Sequence, residues 1–283
     1  MEKVAFLCLD LESLGDALCF RGGEDKSLLP DVSDGAFSFL SLAAKMQAKA
    51  TIFALSSNLD KDLAFLKEAV SEGHEIALHG YEHKTPTSYQ LDEFKGKTIK
   101  AKQTIEDVLG IEIKGYRAPG WAISQQEHEV LPSLGFAYSS SVCFTKGWAS
   151  FSLPPKLDDY ERLSPNVYRK GGFYEFALPT IPKGPCKDLA LGGGVVPRFF
   201  PPFEVKCYLN DFCRLGGAMI LNAHPFELSS YSWKARKDLK LRDNVYLGSG
   251  RKKWGKRLEE YIALLQKKGY RFLTFSEFIA SSS

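Results

Sequence analysis

The sequence predicts an α/β protein built on a parallel sheet, either a barrel or a doubly wound sheet. Three observations point there. Short apolar runs alternate with stretches of helical spacing along most of the chain. Several of those helical stretches stop at a glycine. Polar residues able to do chemistry recur just after the apolar runs, where the C-terminal ends of parallel strands form a common face.

The elements follow in order. KVAFLCLD (3–10) is an apolar run ending in a carboxylate and reads as a buried strand; a Gly- and Asp-containing loop follows. DGAFSFLSLAAKMQAK (34–49) has helical spacing, ATIFALS (50–56) reads as a strand, and DKDLAFLKEAVSEG (60–73) as a helix stopped by Gly73. HEIALH (74–79) is a third strand, 91–110 a long amphipathic helix ending at Gly110, and KGYRAPG (114–120) a short strand broken by Pro119. A helix over 124–135 and a strand over 136–142 come next. The stretch 143–215 is rich in Pro and Gly and reads as an irregular insertion or cap, with FYEFALPTIP (173–182) as its clearest strand. Order returns with GAMILNAHP (217–225) as strand, 252–269 as helix, and YRFLTFSEFI (270–279) as a last strand entering a short helix. No internal repeat or low-complexity linker interrupts the pattern, so a single domain over 1–283 is expected.

Bulk properties narrow the class. A 283-residue chain with 44% hydrophobic and 25% charged residues can bury a substantial core. Its formal charge of +3 gives no reason to expect nucleic acid as a partner. No apolar run approaches the roughly 18–20 residues of a membrane span, so no transmembrane segment is expected. The first residues, MEKVAFLCLDLES, place Asp10 and Glu12 where a leader would stay apolar, and predict no secretory signal. Six scattered cysteines without a CxxC pair suit reduced thiols, and the chain reads as cytoplasmic.

The polar residues carry the functional signal. Asp10 and Glu12 follow the first strand, His79 and His83 the third, Arg117 the fourth, and His224 ends MILNAH. Parallel topology brings all of them to one mouth. A carboxylate with two imidazoles is a common three-ligand set for Zn²⁺, leaving a position for water. A second carboxylate can act as general base, an arginine can keep it ionised, and a remaining histidine can protonate a leaving amine. That inventory fits amide hydrolysis.

With LDLES, HGYEH, YRAPGW, GFAYSSS and LNAHPFEL in that order, the chain resembles the NodB-type polysaccharide deacetylases, metal-dependent enzymes that remove N-acetyl groups from sugars. GGGVVPRFF (192–200) and HPFEL look most like the exopolysaccharide and glycan-biosynthesis branch. The resemblance implies a deformed (β/α) barrel of about seven parallel strands, with the irregular insertion around 143–215. It implies Asp10 as catalytic base, Glu12, His79 and His83 as ligands of Zn²⁺ or another divalent transition metal, Arg117 as the partner of Asp10, and His224 as general acid. The substrate it implies is an N-acetylated sugar or glycan precursor.

Two departures stand out. Adjacent aspartates are usual in the first motif, whereas Leu11 separates the acids here; alternation along an extended segment still puts Asp10 and Glu12 on one side. In the fourth motif Ser139 stands where an Asp is usual, and Glu227, three residues after His224, is the candidate to orient that imidazole instead. Trp121 and Tyr138 are candidates to line a sugar site, and Arg198 in the glycine-rich segment a candidate substrate contact. The basic stretches WKARKDLKLR (233–242) and GRKKWGKR (250–257) read as solvated faces; the alternative is that they favour a phosphate-bearing substrate or contact an anionic membrane leaflet. An allantoinase-like hydrolase of non-sugar amides and a catalytically silent glycan-binding protein are the rival readings.

Overall fold

Alternation along the first strand sets the architecture. In the computed structural model, which describes residues 2–20, 29–145, 153–183 and 186–282, strand β1 (Val4–Leu11) is buried on both faces. Ala5, Leu7, Leu9 and Leu11 face an outer layer of helices, while Val4, Phe6 and Cys8 belong to a separate inner cluster. Asp10 continues that inner row. The other strands are β2 (Ala50–Leu55), β3 (Glu75–Gly80), β4 (Gly115–Tyr116), β5 (Tyr138–Ser139), β6 (Glu161–Ser164), β7 (Val167–Lys170), β8 (Phe173–Phe176), β9 (Thr180–Lys183), β10 (Cys186–Ala190), β11 (Met219–Ala223) and β12 (Arg271–Phe272).

The main sheet runs β11-β1-β2-β3-β4-β5-β8 with every neighbouring pair parallel, seven strands in all. β7 and β6 extend it antiparallel beyond β8, and β12 pairs in parallel with the start of β1. This is a deformed (β/α) barrel, open between β8 and β11. Side-chain and loop contacts span the opening. Asn166 Nδ2 donates to the carbonyls of Ala177 (2.9 Å) and Ala218 (2.8 Å), and its Oδ1 accepts from Ala218 N at 3.0 Å. Asn222 N donates to Gly192 O at 2.8 Å, an approach only glycine permits, because a Cβ there would collide with the Ile220 carbonyl.

Aromatic rings fill the interior. Phe275, at the start of the C-terminal helix Phe275–Ser282, stacks on Phe6 at 4.2 Å and meets Phe176 and Tyr138 at 4.7 and 4.9 Å, sealing one end. The opposite end carries Asp10, His79, Arg117 and Asn222.

The expected elements are present with shifted or shortened ends, and helices at Leu14–Phe20, Pro202–Leu215 and Leu241–Gly248, with the short ones at Val195–Phe199 and Pro225–Leu228, were hidden from pattern reading. The loop expected after β1 opens with the helix Leu14–Phe20, where Ser13 and Asp16 exchange hydrogen bonds in a capping arrangement; residues 21–28 of that loop lie outside the described residues. Within 143–215, of which 146–152 and 184–185 lie outside them too, Pro202–Leu215 is a full amphipathic helix burying Val205, Leu209 and Phe212. Its start at the Pro201–Pro202 pair resembles a loop in sequence, yet proline suits the first helical turn.

The helix Ser33–Lys45 crosses the short helix Pro225–Leu228 so closely that a Cβ on Gly35 would overlap the Pro225 carbonyl oxygen. Gly35→Ala is therefore expected to cost about 1–3 kcal/mol through forced separation of the two helices. A thermal or denaturant unfolding curve checks it.

Candidate active site

Two overlapping groups of donors meet at the mouth, and Glu12 belongs to both. In the first, Glu12 Oε1 lies 3.2 Å from His79 Nε2 and 2.8 Å from His83 Nε2. In the second, His224 Nε2 is 3.8 Å from Asp10 Oδ2 and 3.9 Å from Glu12 Oε1. Asp10, Glu12, His79, His83 and His224 are all buried. The sequence thus brings together the residues expected to do the chemistry.

Each side chain is aimed by a nameable contact. His79 ends β3, and its Nδ1 lies 2.8 Å from the Arg117 carbonyl oxygen. That carbonyl can only accept, so Nδ1 carries a proton and Nε2 is the ring atom turned towards Glu12. Ligand atoms around a tetrahedral zinc-sized ion stand about 3.3 Å apart, given bonds of ~2.0–2.1 Å. Two imidazoles and one carboxylate at the observed spacings therefore suit a divalent transition metal by donor type and by distance. Burial pushes the Glu12 carboxyl up, but His83 and His224 outweigh it and hold it well below the usual range, as an anionic ligand requires.

Arg117 is fully buried and organises Asp10. Its Nη1 donates to Asp10 Oδ1 (2.8 Å) and to Asn222 Oδ1 (2.7 Å), and Asn222 Nδ2 donates to Asp10 Oδ2 at 2.9 Å. The guanidinium also donates to the Ser140 carbonyl and hydroxyl and lies 3.8 Å above the Phe53 ring. Burial raises the Asp10 carboxyl, yet Arg117, His79 and His224 together hold it below its ordinary value. Asp10 stays ionised at neutral pH. Cys8, whose thiol accepts from Arg117 at 3.5 Å, is pushed up to about 12 by burial and is no nucleophile.

His224 is biased the opposite way. Burial lowers it, but Tyr246, Glu227 and Glu12 raise it well above the ordinary histidine value. Glu227 Oε2 stands 3.2 Å from His224 Nδ1 and accepts from the His224 backbone N–H at 3.0 Å. An ionised carboxylate and a protonated imidazole 3.8 Å apart make an acid/base pair set by environment.

Two expected substrate contacts are corrected. Arg198 lies in the buried helix Val195–Phe199, with its guanidinium paired to Glu227 Oε1 at 3.2 Å and bonded to the Tyr246 carbonyl. Its side chain is 0% exposed, so it meets His224 through Glu227 and no substrate reaches it. Tyr138 is 0% exposed inside the barrel, packed on Phe275 and Phe176, so it is core. Trp121 differs: it is half-buried beside Arg117, with its ring 5.2 Å from that guanidinium and its backbone at φ 51°. A bulky residue held in the left-handed region marks strain of the kind found at functional sites.

Asn222, Ser140 and Ser141 went unmarked in the sequence because none carries charge. Asn222 stands two positions before His224 on β11, so alternation alone puts both on the inner face. Ser141 Oγ accepts from the Ala118 backbone at 3.0 Å and from Ser139 Oγ at 2.8 Å; with Ser140 this run braces the Arg117 segment with uncharged groups. His128, on the helix Gln125–Val130, is buried and sits 2.9 Å from Glu175.

The family model described as polysaccharide deacetylase matches residues 23–139, a stretch holding His79, His83 and Arg117. Asp10, Glu12 and His224 lie outside that stretch and join it through the fold. A peptidoglycan deacetylase of Helicobacter pylori is 30% identical over 141 residues, 47% of this chain and 47% of that protein. The aligned part thus spans about half of that relative. Among solved structures, a protein described as a putative polysaccharide deacetylase from Mycobacterium smegmatis superposes with a TM-score of 0.60 at 19% identity, covering 99% of this chain and 93% of the other. An allantoinase superposes with a TM-score of 0.58 at 15% identity over 98% and 89% of the two chains, so the barrel alone does not separate the two chemistries. With the motifs in order, the match across the middle of them and the deformed barrel that joins the rest, the chain is similar to the polysaccharide deacetylases in sequence over its middle part and in fold over nearly its whole length.

Proposed function

We propose that the chain is a metal-dependent N-deacetylase that hydrolyses the acetamide of an N-acetylated amino sugar in a glycan or glycan precursor. One observation carries the reading: ionised Asp10 lies 3.8 Å from protonated His224, which in turn lies 3.9 Å from the Glu12 carboxylate shared with His79 and His83. Glu12, His79 and His83 would hold a divalent ion of the zinc class, which supplies a water of lowered pKa and Lewis-acid polarisation of an acyl oxygen. Asp10 takes the proton from the attacking water as the water oxygen bonds to the acetyl carbon. His224 Nε2 gives its proton to the nitrogen as the carbon–nitrogen bond breaks, leaving acetate and a free amine. The proton on Asp10 then resets His224 across the 3.8 Å between them.

Arg117 and Asn222 hold the base, Glu227 holds the acid in one ring orientation, and Trp121 offers an aromatic face for the sugar. Glu227 supplies His224 with the carboxylate that Ser139 lacks, which weighs against a catalytically silent protein. The Helicobacter relative's description as a peptidoglycan deacetylase favours a sugar amide over a ureide ring. We also place the activity in the cytoplasm, on the free thiols of Cys8, Cys143, Cys207 and Cys213. Among the described residues no helix is long and apolar enough to cross a membrane.

The test is acetate release from N-acetylated sugars by the purified protein, set against ring opening of allantoin. His79→Ala is expected to lose bound metal and to reduce acetate release by about two orders of magnitude or more. Metal analysis and the acetate assay on the same sample check both. Full activity in protein freed of metal would reject the proposal.

A further inference from the structure

A cavity of about 850 Å³ opens at the C-terminal end of the helix Pro225–Leu228, whose N-cap is His224. Its walls are the helix Ser33–Lys45, the segment 229–233 and the start of the helix Trp254–Lys267, and it contains none of the catalytic residues named above. The size is that of an ordinary small-molecule site.

Its charge is one-sided. Lys45, Arg251, Lys252 and Lys256 line it, against the single carboxylate of Glu259, which Lys45 pairs at 2.7 Å. Asp34, on the same helix, is occupied by Ser229 Oγ, Ser230 N and Ser230 Oγ at 2.5, 2.8 and 2.7 Å, so it does not offset the cations. The concentration is local: residues 233–257 hold ten Lys or Arg and two Asp, on a chain whose net charge is only +3. Like charges gathered round a cavity repel one another, and an anion in it relieves that cost.

The site is also built. Arg251 is 8% exposed and is pinned by the carbonyls of Phe226 (2.5 Å) and Ser229 (3.2 Å), so its guanidinium is held before any ligand arrives. Trp233, in the wall, packs on Gly248, where a Cβ would press into the indole. The indole N–H is buried and has no hydrogen-bond partner among the described residues.

From these features we propose that the cavity binds an anionic sugar unit, a ring bearing phosphate or carboxylate, with Tyr231 and Trp233 against the ring and Arg251, Lys252 and Lys256 on the acid group. The sugar half rests on the deacetylase reading; the anion half stands on the charges alone. The shared helix Pro225–Leu228 would let one glycan chain occupy the cavity and the catalytic mouth together.

Calorimetric titration of the whole chain with N-acetylglucosamine 1-phosphate, glucuronic acid, N-acetylglucosamine and inorganic phosphate tests this. The double variant Lys252→Glu, Lys256→Glu is expected to weaken one or both anionic sugars by about tenfold or more, with no change for N-acetylglucosamine. Which acid responds identifies the source of the charge. Acetate release from a neutral N-acetyl substrate should stay at the wild-type rate. Equal affinities of variant and wild type for both anionic sugars would overturn the proposal. So would inorganic phosphate binding as tightly as the sugar phosphate, or binding confined to phosphatidylglycerol vesicles. Absence of acetate release beside a preserved binding difference would count against the deacetylase reading and leave the anion site standing.

Discussion

Asp10→Asn is expected to lower turnover by about 10²- to 10⁴-fold while the protein keeps its metal. The amide retains the shape of the carboxylate and can still accept from Arg117 through its oxygen. It cannot take a proton from water at neutral pH. Because the proposed donor set of Glu12, His79 and His83 omits Asp10, metal content should match wild type. A steady-state acetate assay paired with elemental analysis checks both halves. Loss of metal together with activity would instead make Asp10 a ligand and exchange the roles of the two acids.

The second large effect is on Arg117. Arg117→Met leaves Asp10 buried without its cation, and breaking a buried pair from one side costs about 3–5 kcal/mol. The same change should move the acid limb of the rate profile. In the wild type, Arg117 and the two histidines hold Asp10 below its ordinary value against the upward push of burial. The base is therefore lost only as pH falls through that depressed value. Without the guanidinium, burial prevails, and activity should begin to fall at a higher pH. The stability contribution has the same sign: a carboxyl lowered in the folded state stabilises above its unfolded pKa of about 3.9 and loses that stabilisation as pH falls through the folded value. Denaturant unfolding and a pH–rate profile on the variant read the two effects separately. An unmoved acid limb would remove Asp10 from the role of base.

Much of this centre was legible because strands impose a period of two. Asp10 and Glu12 separated by Leu11, and Asn222 two before His224, share the inward face by alternation, and parallel topology brings strand ends together. The partners outside the strands were less legible for specific reasons. Glu227 is legible as a partner of His224 from its spacing, but Arg198 reads as a substrate contact, and only the fold shows the two paired at 0% exposure behind His224. Tyr138 sits in a functional motif, yet Gly115 beside it leaves room for the ring in the barrel interior, and packing claimed it. The serine run seemed a loss of charge at Ser139; in the fold, Ser140 and Ser141 act as neutral donors and acceptors around Arg117.

The pairing of β1 has a kinetic consequence. The strand that delivers Asp10 and Glu12 is hydrogen-bonded on one side to β2, close by in sequence, and on the other to β11, so that Asp10 meets Asn222 across 212 residues of chain. Closing so long a loop delays the reward of the contacts it makes, and folds dominated by such pairings assemble slowly. Both acids must therefore wait, beside a half-paired strand, for the last third of the polypeptide. The mouth of the barrel is among the latest parts of the molecule to form, and a nascent chain lacking β11 has the histidines of β3 but no finished centre to put them in.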